Sequence, residues 1–155
     1  MLANLRRIVL LMVAGAALAT LPGEAQARSY YRQYYSSWSY YSTTRYYYRT
    51  YYYYPTTVAT TYSYHYCIYY PSQPRYVYYY NPVSQQYWGR FEFGQDGKPK
   101  GYSLLAEKDR REKLTDIPES AFPKPAAMPA IPGSTDGEKI EPPPTDLPLT
   151  DLPKS

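Results

Sequence analysis

All 24 tyrosines of this 155-residue chain lie between Tyr30 and Tyr102, while the whole chain has only three phenylalanines. Any core built here must therefore be walled largely by phenols. A tyrosine ring packs well, but its hydroxyl needs a hydrogen-bond partner once buried. Ordinary aliphatic core-formers are scarce after Ala27. The formal hydrophobic share of 44% is thus misleading, since much of it is tyrosine and an apolar N-terminal stretch.

The spacing of the tyrosines gives no period. Runs begin at Tyr30, Tyr34, Tyr40, Tyr46 and Tyr51, at intervals of 4, 6, 6 and 5 residues. An amphipathic helix would show a stripe every ~3.6 residues, and a half-buried strand would alternate strictly. Residues 28–74 do neither. Tyrosine and threonine favour extended backbone, so this segment is expected to be a low-complexity arm, flexible alone and extended beside a neighbour.

Charge divides the chain into three. Residues 28–90 carry six arginines and no acidic group, residues 91–114 carry six basic and five acidic groups, and residues 115–155 carry three basic and seven acidic ones. A basic aromatic arm thus precedes an acidic tail, and opposite ends of this kind attract one another within or between molecules. Arginines interleaved with aromatics also suit single-stranded nucleic acid. Six over 63 residues is thin for that role, and the export expected below removes such partners.

Residues 1–27 are expected to be a secretory signal peptide. Arg6-Arg7 gives a basic start, Ile8 to Ala19 an apolar run of 12 residues, Leu21-Pro22-Gly23 a helix break, and Ala25-Gln26-Ala27 the small residues before a cleavage point. Spanning a bilayer takes roughly 20 apolar residues, so a membrane anchor fits less well. Export places Cys67, the lone cysteine, in an oxidising compartment where an internal disulfide is impossible. An intermolecular disulfide through Cys67 is the expected alternative to a free or merely buried thiol.

The pattern changes in residues 75–122, where a small antiparallel meander is expected. Arg75 to Tyr80 reads as one strand, Asn81-Pro82 as a turn, Tyr87 to Phe93 as a second strand and Tyr102 to Ala106 as a third. Alternation along the second strand places Tyr87, Gly89, Phe91 and Phe93 on one face and Trp88, Arg90 and Glu92 on the other. Glu107–Arg111 and Asp109–Lys113 stand four apart, which predicts one short charged helix. Residues 123–155 continue a stretch with ten prolines from Pro118 to Ser155 and the sequence Thr-Asp-Leu-Pro twice. That tail is expected to be extended, partly polyproline II, and unfolded. The fold class expected is therefore mostly irregular, with a signal-peptide helix, a hairpin plus third strand, and a short helix.

Two resemblances attach to these segments. "RYVYYYNPVSQQYW" looks like the tyrosine-rich hairpin of WW and OCRE modules, over about 14 residues and without the first WW tryptophan. Over most of its length the chain resembles exported tyrosine-rich proteins of planctomycete-type bacteria, in "YHYCIYYPSQPRYVYYYNP", "YWGRF", "YSLLAEKDR", "DIPESAFP" and "IPGSTDG". The resemblance implies export and a module shared across that family; it implies no activity.

The functional reading that follows is non-enzymatic. Phenol rings stack on one another, on guanidinium planes and on sugar faces, and many weak contacts add up to adhesion. The chain is expected to act in the cell envelope or extracellular matrix, by self-association or by binding a cell-surface polysaccharide or envelope protein. It would touch no nucleic acid, and would meet the membrane only through the signal peptide before cleavage. The alternative is a discrete glycan-binding module, with Trp88 as a stacking platform beside Tyr87 and Arg90 and with Tyr78 or Tyr80 across the hairpin. His65 and Cys67 stand two apart, on one side of a strand, but a metal site wants three or four ligands and a Cys–His nucleophile wants an orienting third group. No cofactor or metal is expected, and the usual acid–base sets cannot be drawn from the arm, though Glu92 and Glu107 remain a conceivable carboxylate pair.

Overall fold

The computed structural model describes residues 32–148. The expected signal peptide lies outside the described residues. Seven strands form one antiparallel sheet: β1 Gln33–Tyr35, β2 Ser39–Tyr41, β3 Tyr46–Tyr53, β4 Ser63–Tyr69, β5 Tyr76–Asn81, β6 Gln86–Phe93 and β7 Pro99–Leu104. Their order is β1-β3-β4-β5-β6-β7, and β2 pairs β3 beside β1. The sheet curls into a half-barrel. This corrects the expectation of a mostly irregular chain carrying a three-stranded meander. The sheet continues across the expected boundary at position 75, where β4 pairs β5 around a turn, and the tyrosine arm supplies four of its strands.

The arm folds because each tyrosine run finds a tyrosine run opposite. Tyr34, Tyr35, Tyr40 and Tyr41 lie directly across from Tyr52, Tyr51, Tyr47 and Tyr46. Their ring centroids are 4.9, 5.0, 4.8 and 5.5 Å apart. Each such cross-strand pair adds roughly 0.2–1 kcal/mol to the ladder itself. Two hairpins close in the same way. The loops at 42–45 and 82–85 each end on a residue with positive φ, Arg45 and Gln85, both at 54°. Asn81 starts the second loop by accepting the Val83 amide at 2.9 Å, an Asx turn.

The alternation expected along β6 is also corrected. Register shifts between Tyr79 and Tyr80, where Tyr79 faces Gly89 but Tyr80 faces Tyr87. Trp88 is the extra residue, and a bulge of this kind re-aims the side chains beyond it. Trp88 packs against the cluster that holds Phe91 and Phe93, whereas Tyr87 joins the opposite cluster.

Each face has its own core. The first holds Tyr51, Tyr53, Cys67, Tyr69, Val77, Tyr79, Phe91, Phe93 and Tyr102. The second holds Ile68, Tyr78 and Tyr87. Residues 123–148 form a strap across the first face, where Ile131 and Ile140 complete the core at 1% exposure each. At one end Tyr102 and Ala126 exchange backbone bonds of 2.8 and 2.9 Å. At the other, Arg32 grips Asp136, and Arg49 grips Asp146 at 2.9 and 3.0 Å. The tail expected to be unfolded is thus ordered through residue 148. Its two isoleucines seat in the core, and its carboxylates meet arginines that the sheet has already buried.

Residues 105–122 cover the β5–β7 part of the second face with Leu105, Leu114, Ile117 and Phe122. They form three 3-10 turns, Glu107–Asp109, Leu114–Asp116 and Glu119–Ala121, in place of the expected charged helix. The Arg111 carbonyl is taken by the Tyr87 amide at 2.9 Å, and the Arg110 guanidinium lies 5.4 Å over the Trp88 ring. Those contacts need extended backbone where a helix would have run.

Candidate functional site

Among the described residues, no segment covers the β2–β4 part of the second face. Alternation in β3 and β4 brings Tyr46, Tyr48, Tyr66 and Ile68 to this side, and β2, β5 and β6 add Tyr41, Tyr80 and Tyr87. Together they line a cleft of about 490 Å³, with Glu112 and Lys113 as its charged residues. Ile68 and Tyr87 form buried parts of the lining at 7% and 6% exposure, while Tyr41 stands 46% exposed. From Tyr66 a row of rings leads away across the sheet, through Tyr64, Tyr52 and Tyr34, with centroids 5.7, 6.0 and 4.9 Å apart. Tyr34 and Tyr64 are exposed.

Four of the cleft phenols, Tyr46, Tyr66, Tyr80 and Tyr87, are disfavoured from ionising by burial. Burial pushes Tyr46, Tyr66 and Tyr80 above the ordinary tyrosine range. It raises Tyr87 much further, helped by the Tyr70 hydroxyl 3.2 Å away. Neutral phenols offer a flat apolar face and a hydroxyl that both donates and accepts. A saturated ring with equatorial hydroxyls, or another flat group, can lie on such walls and hydrogen-bond at their edges.

The residues singled out from sequence are dispersed. Tyr80 and Tyr87 line the cleft. Tyr78 lies buried beside it at 2% exposure, with its hydroxyl on Gln73. Arg90 is held between the rings of Tyr76 and Phe122, at 3.9 and 4.1 Å, and binds both oxygens of Glu119. Its guanidinium faces are thereby occupied. Trp88 is on the other face, 5.3 Å from the His65 ring and 6.2 Å from Tyr102. Trp88 therefore does not share a platform with Tyr87.

Cys67 and His65 are both 0% exposed under the strap side of the sheet. Burial raises the Cys67 thiol far above its ordinary range. A bridge from this sulfur to a second molecule requires β4 to open. Burial, and then the charge of Arg110, lowers His65 to about 4. Its Nε2 stands 3.5 Å from the Tyr53 hydroxyl, and its Nδ1 has no partner among the described residues. No group of three or more His, Cys, Asp or Glu side chains gathers among the described residues. Glu92 is bound to Arg75 and, at 3.4 Å, to Lys100.

Sequence reasoning missed Tyr41, Tyr46, Tyr48, Tyr66, Ile68, Glu112 and Lys113. A partial signal was present in the two-residue spacing of Tyr62, Tyr64 and Tyr66 and of Tyr76, Tyr78 and Tyr80. That spacing marks one side of two strands but does not say which other strands complete the wall.

The described residues form a half-barrel with one face strapped by residues 123–148 and the other covered in part by residues 105–122, its remaining part walled by tyrosines. The chain matches no family model, no curated protein and no solved structure. Among the described residues no helix is long and apolar enough to cross a membrane.

Proposed function

We propose that this chain is a non-enzymatic exported protein of the cell envelope or extracellular matrix that adheres to a polysaccharide through its open tyrosine face. The observation that carries this reading is the tyrosine-lined cleft, uncovered among the described residues, with its outgoing row of rings. A cleft of about 490 Å³ suits one or two sugar units, and the row beyond it gives a polymer further places to stack. Each ring contact is worth about 0.5–1.5 kcal/mol, so affinity would come from several at once. The charge complementarity that also supports self-association is spent largely inside the molecule, in the Arg32–Asp136, Arg49–Asp146 and Arg90–Glu119 pairs. That leaves the neutral phenol wall as the surface for an outside partner.

The alternative platform built on Trp88 makes the opposite prediction about variants. Purified chain would be tested for saturable binding to a panel of cell-surface and matrix polysaccharides. Removing two stacking rings with Tyr48→Ala and Tyr66→Ala should weaken binding roughly 5- to 150-fold, while Trp88→Ala should leave a folded protein that binds as before. Binding lost with Trp88 and kept without the two cleft rings would reject the cleft in favour of that alternative. Absence of binding across the panel, together with concentration-dependent oligomers, would favour self-association.

A further inference from the structure

We propose that Tyr54 and Tyr62 are a cross-linking site, where a peroxidase-type oxidant joins the two rings into dityrosine and so closes the β3–β4 loop covalently. The register brings them together. Tyr53 and Ser63 are the last partners of the β3–β4 ladder, and Tyr54 and Tyr62 are the next residues outward on either side. Both are half-buried. Their ring centroids are 3.8 Å apart, with planes 24° from parallel. That is the shortest ring separation among the described residues, the next being 4.8 Å.

Ring packing alone does not account for this stack. Aromatic pairs ordinarily keep their centroids roughly 4.5–7 Å apart and avoid the face-to-face arrangement. Here the backbone holds the rings together. The Tyr54 amide donates to the Arg32 carbonyl at 2.8 Å, and the Tyr54 carbonyl accepts Arg32 Nε at 3.2 Å. The same buried guanidinium bonds the Pro55 carbonyl at 2.8 Å. The Tyr54 and Tyr62 hydroxyls share a hydrogen bond. Stacked rings with bonded hydroxyls set the carbons flanking each oxygen against one another. Those are the carbons through which phenoxyl radicals couple.

A haem peroxidase with hydrogen peroxide would remove one electron and the hydroxyl proton from each phenol. The two phenoxyls then form one carbon–carbon bond ortho to their oxygens. The hydrogen on each joined carbon moves to an oxygen, which restores both phenols. The peroxide takes up the two electrons and two protons and leaves as two waters.

The second face supplies a route for the oxidation. The Tyr34 and Tyr52 rings meet Tyr62 edge-on at 5.2 and 6.1 Å, and Tyr52 lies 6.0 Å from Tyr64. Tyr34 and Tyr64 are 42% and 38% exposed. An electron taken from either exposed ring can be replaced from the Tyr54–Tyr62 pair through like rings, and the radical is trapped only where a bond forms. The pair stands at the end of the ring row away from the cleft, so its coupling is independent of what the cleft binds.

The test treats the dilute full chain with haem peroxidase and hydrogen peroxide, beside N-acetyltyrosinamide as proof that the oxidant couples phenols. The monomer is then digested with trypsin and its peptides are fragmented in a mass spectrometer. The peptide of residues 50–75, which lies between two arginine cleavage points, should appear two hydrogens lighter. It should give no backbone fragments between positions 54 and 62. Tyr54→Phe and Tyr62→Phe should each lose that link, and with it most of the dityrosine fluorescence of the monomer. A main link mapped instead to Tyr34 and Tyr52, a near-parallel pair at 4.9 Å, would overturn the proposal. So would links formed only between molecules, or no link while N-acetyltyrosinamide couples. The position mapped in the parent chain decides the matter even where a variant fails to fold.

Discussion

Tyr51 and Tyr102 occupy the same core at 0% and 2% exposure, yet their hydroxyls fare differently. Tyr51 donates to Gln33 Oε1 at 2.7 Å. The Tyr102 hydroxyl is buried with no partner among the described residues. Gly89 makes this possible, because a Cβ there would strike the Tyr102 ring and the Ser103 carbonyl. A matched buried hydroxyl contributes about 1 kcal/mol, whereas an unmatched one costs about 1–3. The same chemical change should therefore act with opposite signs. Tyr51→Phe should lower the free energy of unfolding by about 1 kcal/mol, and Tyr102→Phe should leave it unchanged or raise it by a similar amount. Urea denaturation of the two variants beside the parent decides the matter; equal losses would mean that the Tyr102 hydroxyl is matched after all.

At the scale of elements, the strands of the arm were hidden by their own uniformity. In β3 the residues facing the first side are Tyr47, Arg49, Tyr51 and Tyr53, and those facing the second include Tyr46, Tyr48 and Tyr52. Both faces present phenols, so no polar–apolar alternation exists to be read. The β5–β6 hairpin was legible, because Asn81-Pro82 marks a turn through a local mechanism. The bulge at Trp88 was not, since it depends on how β6 meets β5, and with it went the assignment of Trp88 and Tyr87 to faces. The strap was hidden for a related reason. Its prolines read as solvated chain, while its anchors, Asp136 and Asp146, acquire meaning only beside Arg32 and Arg49, 104 and 97 residues away. Its first anchor makes a sharp prediction. Gly101 has φ of +139°, and a Cβ there would strike the Ala126 carbonyl. Gly101→Ala should thus detach the strap from β7, and the amides of Tyr102 and Ala126 should exchange with solvent at least tenfold faster. Unchanged exchange at those two amides would show that β7 holds the strap by other means.

For the whole molecule, the buried groups imply an acid response in two stages. His65 is sealed between the sheet and its coverings, and burial with the nearby Arg110 charge lowers it to about 4. The unfolded chain takes up this proton near the ordinary histidine value of about 6.5. Between those values the unfolded state holds more protons than the folded one, so stability falls as pH falls. Over the full interval the loss is roughly 3 kcal/mol, and below it this contribution stays constant. The second stage belongs to the covers. Arg90 holds Glu119, and Arg32 holds Asp136, below the ordinary carboxylate range. The stability these pairs lend is complete near neutrality and drains as pH drops below about 4. Both carboxylates are well exposed, so each pair contributes modestly. Denaturant unfolding measured from pH 7.5 to 3 should show a slope of up to one proton between about 6.5 and 4, followed by a further decline. His65→Phe should flatten the first stage and leave the second, and Glu119→Gln should do the reverse in part. A first stage that persists in His65→Phe would place the titrating group elsewhere, and would mean that the centre of the sheet admits water at His65.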